Sequence, residues 1–452
     1  MTTATLPQHI VAVVGGATAG AEAAAMLADR GARVVVFEQK SRPYGKIEDG
    51  LPRWHTKLRR KEYETINERL DRPGVDFVPL TKIGRDVDFG DLATSWGFSA
   101  VVLAHGAWRD RPLPIEGADD FIGRGLLYQN PLIYWFNHFA EAAYDGPQYR
   151  AEDGAIVVGG GLASIDVLKV LQIETVRAAL IARGIHAEMD EIEVEGVPTI
   201  LGRHGLTAEG LGLKGATLYY RRRIEDMPLA EVPGGADAAR AQKFEATRRK
   251  ILEKAMAKYG FHVRPLHAPV GLIVENDRLA GIRFQQTRVE GGKAVPVAGA
   301  FVDARGPLTV SSIGSVPEPM AGIPQDDMVY RYADPDLGRI EGYARVFGIG
   351  NVVTGKGNIL ASRRHSLKVT TLLVEHFLGL GNGRHEGEEA LLPTSTVGDA
   401  AKKIGEWVSH RPTPDAAQVE QVLARVRARQ EAVGYRGPYR EWIARVTPPD
   451  LA

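Results

Sequence analysis

The 452-residue sequence contains no cysteine. A chain without thiols cannot perform thiol–disulfide chemistry, hold an iron–sulfur cluster through cysteine or rely on disulfides for stability. An excess of charge is missing too, because 56 lysine and arginine side chains balance 56 aspartate and glutamate side chains. Bulk attraction to nucleic acid is therefore not expected, and any electrostatic docking surface has to be a local patch.

Long apolar runs are also missing from the sequence. No basic region precedes the first short apolar stretch, and that stretch ends at Gly15, well short of the roughly 20 residues of a membrane span. We therefore expect no membrane span and a cytoplasmic location. The composition, 44% hydrophobic and 25% charged, is typical of a globular protein with a core, and the length favours two or three domains.

Residues 10–20 carry the first indication of function. An apolar run breaks into small residues, and an alanine-rich helical pattern follows. This strand–turn–helix order suits a dinucleotide, because small residues let the backbone approach the pyrophosphate and the helix N-terminus offers unpaired N–H groups. Glu38 closes the next apolar run, where a carboxylate can accept both ribose hydroxyls of an adenosine. The alternative is an ordinary strand–helix–strand unit.

The opening turn departs from the usual glycine spacing at one position, where Ala17 replaces the second glycine. We expect a slightly less intimate approach to the phosphates there. The expected cofactor contacts of this region are Gly15, Ala17, Thr18, Ala19, Gly20, Glu38 and Gln39, together with Gly106 after the apolar run 100–104.

Residues 155–164 repeat the pattern. The apolar run leads into glycines, and a helix is predicted from Ile165 to about Ala182 by the apolar spacing. Two such turns predict two bound nucleotides, unless one turn has lost its function. The expected contacts are Gly159, Gly161, Leu162, Ala163 and Ser164.

The strand that follows the second turn, residues 216–220, ends in basic rather than acidic residues. A guanidinium can grip a 2′-phosphate with two parallel charge-assisted hydrogen bonds, so this strand end favours NADPH over NADH. A solvated basic cluster is the alternative. The arginines concerned are Arg221, Arg222 and Arg223.

A third small-residue turn follows the apolar strand 344–349. Its main-chain N–H groups could face a phosphate or a flavin ring edge, and the expected contacts are Gly350, Asn351, Gly357, Asn358 and Ile359. Beyond Pro393 the composition becomes polar, and we expect a helical tail that packs on the outside and carries no chemistry.

Four stretches together resemble the two-nucleotide flavoprotein reductases of the adrenodoxin reductase type, which are related to the glutamate synthase small subunit. The first is the opening turn with Glu38, and the second runs from Pro43-Tyr44-Gly45 to His55. The third is the second turn with Asp166 and the arginine run. The fourth is the segment from Gly350 to Ile359.

The resemblance implies an α/β fold with two Rossmann-like dinucleotide-binding domains. A discontinuous FAD domain would comprise residues 8–115 and 330–395, with an NADP domain inserted at 116–329 and a C-terminal helical extension at 396–452. It also implies NADPH:ferredoxin reductase activity, in which NADPH gives a hydride to FAD and electrons pass singly to an iron–sulfur protein. The alternatives are an NADPH-oxidising subunit of a larger complex and a flavin-binding module without turnover.

The same resemblance implies roles for further residues. Gly45, Lys46 and His55 are expected to contact a cofactor, and His55 and Glu231 form the expected catalytic pair near the nicotinamide, where a purely structural role stays open. No metal site is expected. An acidic ferredoxin would dock on a basic surface, whose candidates are Arg53, Lys57, Arg59, Arg60, Lys243, Lys250, Arg363 and Arg364. The oligomeric state, monomer or homodimer, stays open.

Overall fold

The computed structural model describes residues 9–141, 144–229, 238–353 and 394–448. In chain order its strands are β1 Ile10–Val14, β2 Arg33–Phe37, β3 Val75–Val78, β4 Ala100–Leu103, β5 Arg109–Asp110, β6 Leu126–Tyr128, β7 Ile156–Gly159, β8 Thr217–Tyr220, β9 His262–Pro265, β10 His267–Glu275, β11 Arg278–Glu290, β12 Lys293–Arg305, β13 Thr309–Ser312, β14 Ser315–Val316, β15 Gln325–Asp326, β16 Val329–Tyr330, β17 Tyr332–Asp334, β18 Arg339–Ile340 and β19 Val346–Gly348.

The α-helices of the described residues flank these strands. They are α1 Thr18–Ala28, α2 Lys46–Asp49, α3 Thr56–Leu70, α4 Phe89–Thr94, α5 Gln129–His138, α6 Leu162–Ile181, α7 Met189–Glu195, α8 Val197–Arg203, α9 Ala238–Tyr259, α10 Thr394–Ser409, α11 Ala416–Ala432 and α12 Tyr439–Val446. Short 3₁₀ turns lie at Ala118–Phe121, Ile224–Asp226 and Gly350–Val352.

The first sheet has the strand order β17-β18-β19-β4-β1-β2-β3. Its strands from β19 to β3 are parallel, and β17 and β18 add an antiparallel edge. All five residues of β1 are buried, as a central parallel strand covered on both faces requires. Because β19 joins β4, strands from distant parts of the chain build one sheet, as the predicted discontinuous arrangement requires.

The second sheet has the order β6-β13-β7-β8-β9, and all of its strand pairs are parallel. Helix α6 starts directly after β7 and buries an apolar face that includes Ile165, Leu168 and Leu171. An antiparallel meander of β10, β11 and β12 follows in the chain. The sequence predicts two of these three strands; β12 is missed because it carries Pro296, Gly299 and irregular alternation.

The C-terminal helices α10–α12 pack into the hydrophobic core around the first sheet. Two glycines of α10 lie against α1: a Cβ on Gly398 would come within 3.1 Å of Met26 Sδ, and one on Gly405 within 3.1 Å of Arg30 Nη1. Trp442 of α12 is 6% exposed and donates a hydrogen bond from Nε1 to the Ser41 carbonyl at 2.8 Å. The tail is therefore more closely integrated than the expected outer layer.

Candidate functional site

The opening turn is so tight that two of its positions require glycine. Gly15 has φ +98°, and a Cβ there would lie 2.8 Å from the Ala104 carbonyl oxygen. A Cβ on Gly20 would lie 1.8 Å from the Gly15 carbonyl oxygen. The turn therefore brings the first residues of α1 close to the ends of β1 and β4. No side chain of Gly15 or Gly20 stands at the start of the helix, so its main-chain N–H groups can face an anion.

Ala17, the residue that departs from the glycine pattern, has a glycine opposite it. A Cβ on Gly45 would lie 2.8 Å from Ala17 Cβ, and Gly45 has φ +51°. The methyl group of Ala17 therefore fits because the neighbouring loop has no side chain at the point of contact.

Glu38 lies at the end of β2, is 5% exposed and is held by two main-chain donors. Its Oε2 accepts from the Gly16 amide at 2.8 Å and its Oε1 accepts from the Lys40 amide at 3.0 Å. Burial raises the pKa of Glu38, and the two amides and the Lys40 charge oppose the shift. A carboxylate has about four acceptor positions, so two remain for ribose hydroxyls.

A cavity of about 350 Å³ lies along this turn. Its walls include five of the expected contacts: Gly15, Ala17, Glu38, Gln39 and Gly45. The walls also include residues 81–85 after β3, His105, Trp108 and residues 318–321. The sequence offered no signal for these other walls, because they come together only through the parallel strand order.

The third turn meets the first. A Cβ on Gly350 would come within 2.8 Å of Ala19 Cβ, so Gly350 lies directly against the start of α1, whose first residue Thr18 is buried. Asn351 is exposed, and Gly106, with φ +76°, follows His105 at the cavity wall. The remaining contacts expected from this turn, Gly357, Asn358 and Ile359, lie outside the described residues.

The second turn uses its glycines differently. A Cβ on Gly159 would lie 2.2 Å from Ser164 Oγ, and one on Gly160 would lie 2.3 Å from the Tyr220 ring. A Cβ on Gly161 would meet nothing within 4 Å. Packing therefore explains the first two glycines, whereas the third opens space in front of Leu162 and Ala163, the first residues of α6.

Ser164 fixes this turn from the inside. Its hydroxyl accepts a hydrogen bond from the Gly160 amide at 2.9 Å and lies 3.1 Å from the Ser312 carbonyl oxygen, to which it donates. It is completely buried. Ser164 thus joins α6 to the ends of β7 and β13, which is the helix-packing role of the third position in such turns.

The three arginines after β8 have different surroundings. Arg222 donates to the Tyr220 hydroxyl at 3.1 Å, and Arg223 forms a two-pronged pair with Asp226 at 2.9 and 3.0 Å. Arg221 is exposed, and its side chain has no hydrogen-bond or ion-pair partner in the part of the chain that the structure describes. Arg221 is therefore the arginine most available to a phosphate.

His55 is brought from the first half of the chain to the second turn. Its Nε2 lies 3.6 Å from Oδ1 of Asp166, in the second turn of α6, and both residues are buried. Burial lowers the pKa of His55, and the Asp166 carboxylate opposes that shift. Glu231, the expected partner of His55, lies outside the described residues.

A buried charge that the sequence analysis missed lies beside this contact. Lys169, one helical turn after Asp166, is fully buried and pairs with Glu193 Oε1 at 2.7 Å. Its Nζ lies 4.6 Å from the ring centroid of Trp54, the neighbour of His55. The sequence does contain a signal for this pair, because Lys169 stands among the apolar residues of α6. A lysine on a buried helix face predicts an acidic partner, since lysine is rarely buried without one.

Lys46 follows Gly45, but its ammonium group is held elsewhere. Its Nζ donates to Asn130 Oδ1 at 3.1 Å and to Ser315 Oγ at 3.0 Å. Burial lowers the pKa of Lys46 to about 8 and raises that of nearby Asp110 to about 6. Lys46 does not itself line the 350 Å³ cavity, but its Nζ lies 5.8 Å from the ring centroid of Trp108, which does.

The candidate basic surface is smaller than expected. Arg59 is buried and donates to the Glu48 carbonyl at 3.1 Å, and Arg53 is half-buried against the rings of Phe136 and Phe139. Three candidates are exposed: Lys57, Arg60 and Lys250. The side chain of Lys243 and all of Arg363 and Arg364 lie outside the described residues.

The described residues contain neither a candidate membrane-spanning helix nor a candidate metal site. None of the helices there combines the length and apolar character needed to cross a bilayer. The same residues contain no group of three or more His, Cys, Asp or Glu side chains arranged to hold a metal ion.

Comparison with known proteins places the chain among oxidoreductases. It is 25% identical over 354 residues to mitochondrial NADPH:adrenodoxin oxidoreductase from Arabidopsis thaliana, covering 71% of this chain and 70% of that protein. It is 33% identical over 159 residues to the glutamate synthase [NADPH] small chain of Bacillus subtilis, which covers 34% of this chain and only 31% of the relative. No family model matches.

The solved structures agree on the fold. FprA from Mycobacterium tuberculosis superposes with a TM-score of 0.60 at 20% identity, over 94% of this chain and 90% of that chain. The predicted resemblance, the predicted two-domain α/β fold and the predicted enzyme class, an oxidoreductase, are therefore confirmed.

Proposed function

We propose, from the premise that the chain is related to adrenodoxin-reductase-type flavoproteins, that it is an FAD-dependent NADPH oxidoreductase passing electrons to an iron–sulfur protein. The observation that carries the proposal is the presence of two different dinucleotide turns, one at the end of a parallel strand in each of the two main sheets, with His55 and Asp166 in contact between them. A hydride donor and a flavin have to meet face to face, and His55 and Asp166 form one of the contacts between the parts of the chain that carry the two turns.

FAD is assigned to the opening turn. The cradle between Gly15 and Ala104 has no space for a side chain, and Glu38 retains acceptor positions beside the cavity. These residues would bind the pyrophosphate and the adenosine ribose, with Gly350 closing the turn from the other side. When bound, FAD supplies the ability to take a hydride and release electrons one at a time.

NADPH is assigned to the second turn. The open space at Gly161 would admit the pyrophosphate, and Arg221 would bind the 2′-phosphate that distinguishes NADPH from NADH. Arg222, which is hydrogen-bonded to Tyr220, would have a secondary role. Several relatives carry NADPH in their names, and one FprA structure is described as a complex with NADPH, which supports this choice. We propose the domain limits given above, 116–329 for this half and 8–115 with 330–395 for the other.

His55 and Asp166 would hold the two halves in register for hydride transfer. Burial keeps the pKa of His55 low, so the neutral ring predominates near pH 7 and accepts or donates one hydrogen bond at each nitrogen. We propose that His55 and Glu231 have an orienting role, because hydride transfer requires no proton from a side chain.

The iron–sulfur partner is inferred from the names of the relatives, such as the adrenodoxin oxidoreductase. A small acidic ferredoxin would suit Lys57, Arg60 and Lys250, the exposed basic candidates. Electron transfer that depends on such a surface should slow as ionic strength rises, because salt screens exposed charges beyond about 8–10 Å. A cytoplasmic location remains part of the proposal.

Anaerobic reduction tests the proposal. Purified protein is titrated with NADPH and separately with NADH while the absorbance of the oxidised flavin is recorded, and candidate ferredoxins are then added. We expect bleaching by NADPH at far lower concentration than by NADH, and reoxidation by ferredoxin. Flavin that neither nucleotide bleaches would instead identify a binding module.

A second candidate is an NADPH-oxidising subunit of a larger complex. It is favoured by relatives that are themselves subunits, the glutamate synthase small chains and the beta subunit of NADPH-Fe(3+) oxidoreductase from Geobacter sulfurreducens. Copurification with a fixed partner, together with slow reoxidation by added ferredoxins, would support this candidate.

A further inference from the structure

The C-terminal helices reach the loop between β3 and α4. Arg429 of α11 donates a hydrogen bond from Nε to Thr81 Oγ1 at 2.9 Å and another from Nη2 to the Leu80 carbonyl at 3.1 Å. The same guanidinium lies 3.7 Å from Asp86 Oδ2. One side chain of the extension thus holds both ends of the segment 80–86.

This segment has a conformation that requires support. Leu80 has φ +51°, a left-handed value that is unfavourable for a side chain with a Cβ, and its side chain is 41% exposed. Asp86 Oδ2 accepts from the Lys82 amide at 2.8 Å, which closes the loop. Helix α11 also packs against apolar residues of the loop and its flanks. Val422 and Val426 belong to the same buried cluster as Val78, Ile83 and Val87.

The same segment forms one wall of the 350 Å³ cavity. Residues 81–85 line it opposite the opening turn. The Thr81 amide donates to the Glu38 carbonyl at 2.8 Å, and the Leu80 amide donates to the Lys40 carbonyl at 3.1 Å. The loop that Arg429 holds is therefore bonded to the backbone of Glu38.

We propose that Arg429 is a positioning residue of the FAD site and that the C-terminal helices fix the cavity wall at residues 80–86. The inference rests on the proposed function, since it assigns FAD to this cavity. A wall that is already fixed does not have to be ordered when the ligand binds, and this preorganisation strengthens binding. The extension therefore contributes to cofactor affinity without touching the cofactor.

The test compares two arginines of one helix. Arg429→Gln removes the contacts to the loop, whereas Arg427→Gln removes only an exposed pair with Glu420 of the same helix. FAD dissociation constants are measured by flavin fluorescence on the full-length protein after the flavin has been removed. We expect Arg429→Gln to weaken FAD binding about tenfold or more, the order of one lost charged hydrogen bond, and Arg427→Gln to leave it unchanged.

A third variant separates positioning from general stability. Arg440→Gln removes the pairs that join α12 to Glu64 and Asp71 of the body, away from the cavity. If Arg429→Gln and Arg440→Gln lower the melting temperature alike and leave the FAD dissociation constant unchanged, the proposal is wrong. Weaker FAD binding in Arg429→Gln alone supports it, provided that the NADPH dissociation constant does not change.

Thr81→Val is close in shape and removes the acceptor for Arg429, together with the hydrogen bond that the Thr81 hydroxyl donates to the Pro79 carbonyl at 2.9 Å. We expect it to weaken FAD binding and Arg429→Gln to cost less in that background than in the wild type, because both changes remove the bond from Nε to Oγ1, whereas only Arg429→Gln also removes the contacts to Leu80 and Asp86. Fully additive losses of FAD affinity in the double variant would contradict the proposal. If Arg429→Gln does not fold, the FAD dissociation constants of Thr81→Val and Arg429→Lys are compared instead. A wild-type protein that binds no FAD would refute the proposed function itself, which is a distinct result.

Discussion

At the scale of single residues, Gly45 leaves room for Ala17, the alanine that replaces the second glycine of the opening turn. Gly45→Ala places a methyl group against Ala17 and forces an alanine to φ +51°. We expect FAD binding to weaken about tenfold, since a residue held in an unfavourable backbone region costs about 1–3 kcal/mol, and Ala17→Gly to restore part of the loss. Flavin fluorescence titration measures both effects.

The matched control is Gly31→Ala. Gly31 also has a positive φ, +86°, but a Cβ there meets nothing within 4 Å. We expect this change to lower stability without altering FAD binding. Equal losses of FAD affinity in the two variants would show that backbone strain, not the contact with Ala17, is responsible.

Asp110 predicts a pH dependence of stability. Burial raises the pKa of Asp110 to about 6 from the usual 3.8, so between these values the folded state keeps a proton that the unfolded chain has lost. The free energy of unfolding therefore falls as pH rises through that window, by about 1–3 kcal/mol. We expect Asp110→Asn to remove this component, as urea unfolding at pH 4.5 and 7 would show; an unchanged pH profile would argue against a raised pKa.

At the scale of single elements, our proposal assigns the choice between the two nicotinamide nucleotides to the end of β8. Arg221→Ala should raise KM for NADPH about tenfold or more and leave KM for NADH unchanged, because a charged hydrogen bond contributes roughly 1.5–3 kcal/mol. Arg222→Ala should have a smaller effect on this ratio, since Arg222 is bonded to Tyr220.

Arg264→Ala is the control for this prediction, because Arg264 is an exposed arginine at the end of neighbouring strand β9. It should change neither KM value. A fall in NADPH preference with Arg264→Ala as large as that with Arg221→Ala would point to general surface charge instead of a specific phosphate contact.

Much of the element pattern was predictable from the sequence. Strands β1, β2, β4 and β7 stand out because strands buried in parallel sheets are continuous apolar runs, and the turns that follow them carry glycines for steric reasons. Contacts such as Arg429 to Thr81 were not predictable, because they join residues 348 positions apart through packing alone. The candidate basic surface is smaller than predicted for the same reason, because nothing in the local sequence shows that Arg59 is buried.

At the scale of the whole molecule, the buried pair of Lys169 and Glu193 supports the contact between the halves. Lys169→Met removes the cationic partner of the buried Glu193 carboxylate, which keeps the hydrogen bond from the Tyr259 hydroxyl at 3.1 Å, and it removes the cation from the Trp54 ring. We expect a loss of about 3–5 kcal/mol in the free energy of unfolding, measured by urea denaturation. Adding Glu193→Gln should recover a large part of it.

An exposed pair provides the comparison. Arg203→Met breaks ion pairs with Glu191 and Glu195 on the surface of the same half and should cost about 0–1 kcal/mol. If Lys169→Met costs no more than Arg203→Met, the buried pair does not stabilise the fold as we infer.

The first sheet also sets the order in which a growing chain can fold. Strand β19 has to insert beside β4, so the first sheet cannot be finished until residue 348 has left the ribosome, and its covering helices α10–α12 follow later still. Every strand of the second sheet is available once β13 has emerged. We therefore expect the inserted half to fold first during synthesis, with β1 to β4 waiting, partly unpaired, for the end of their own sheet.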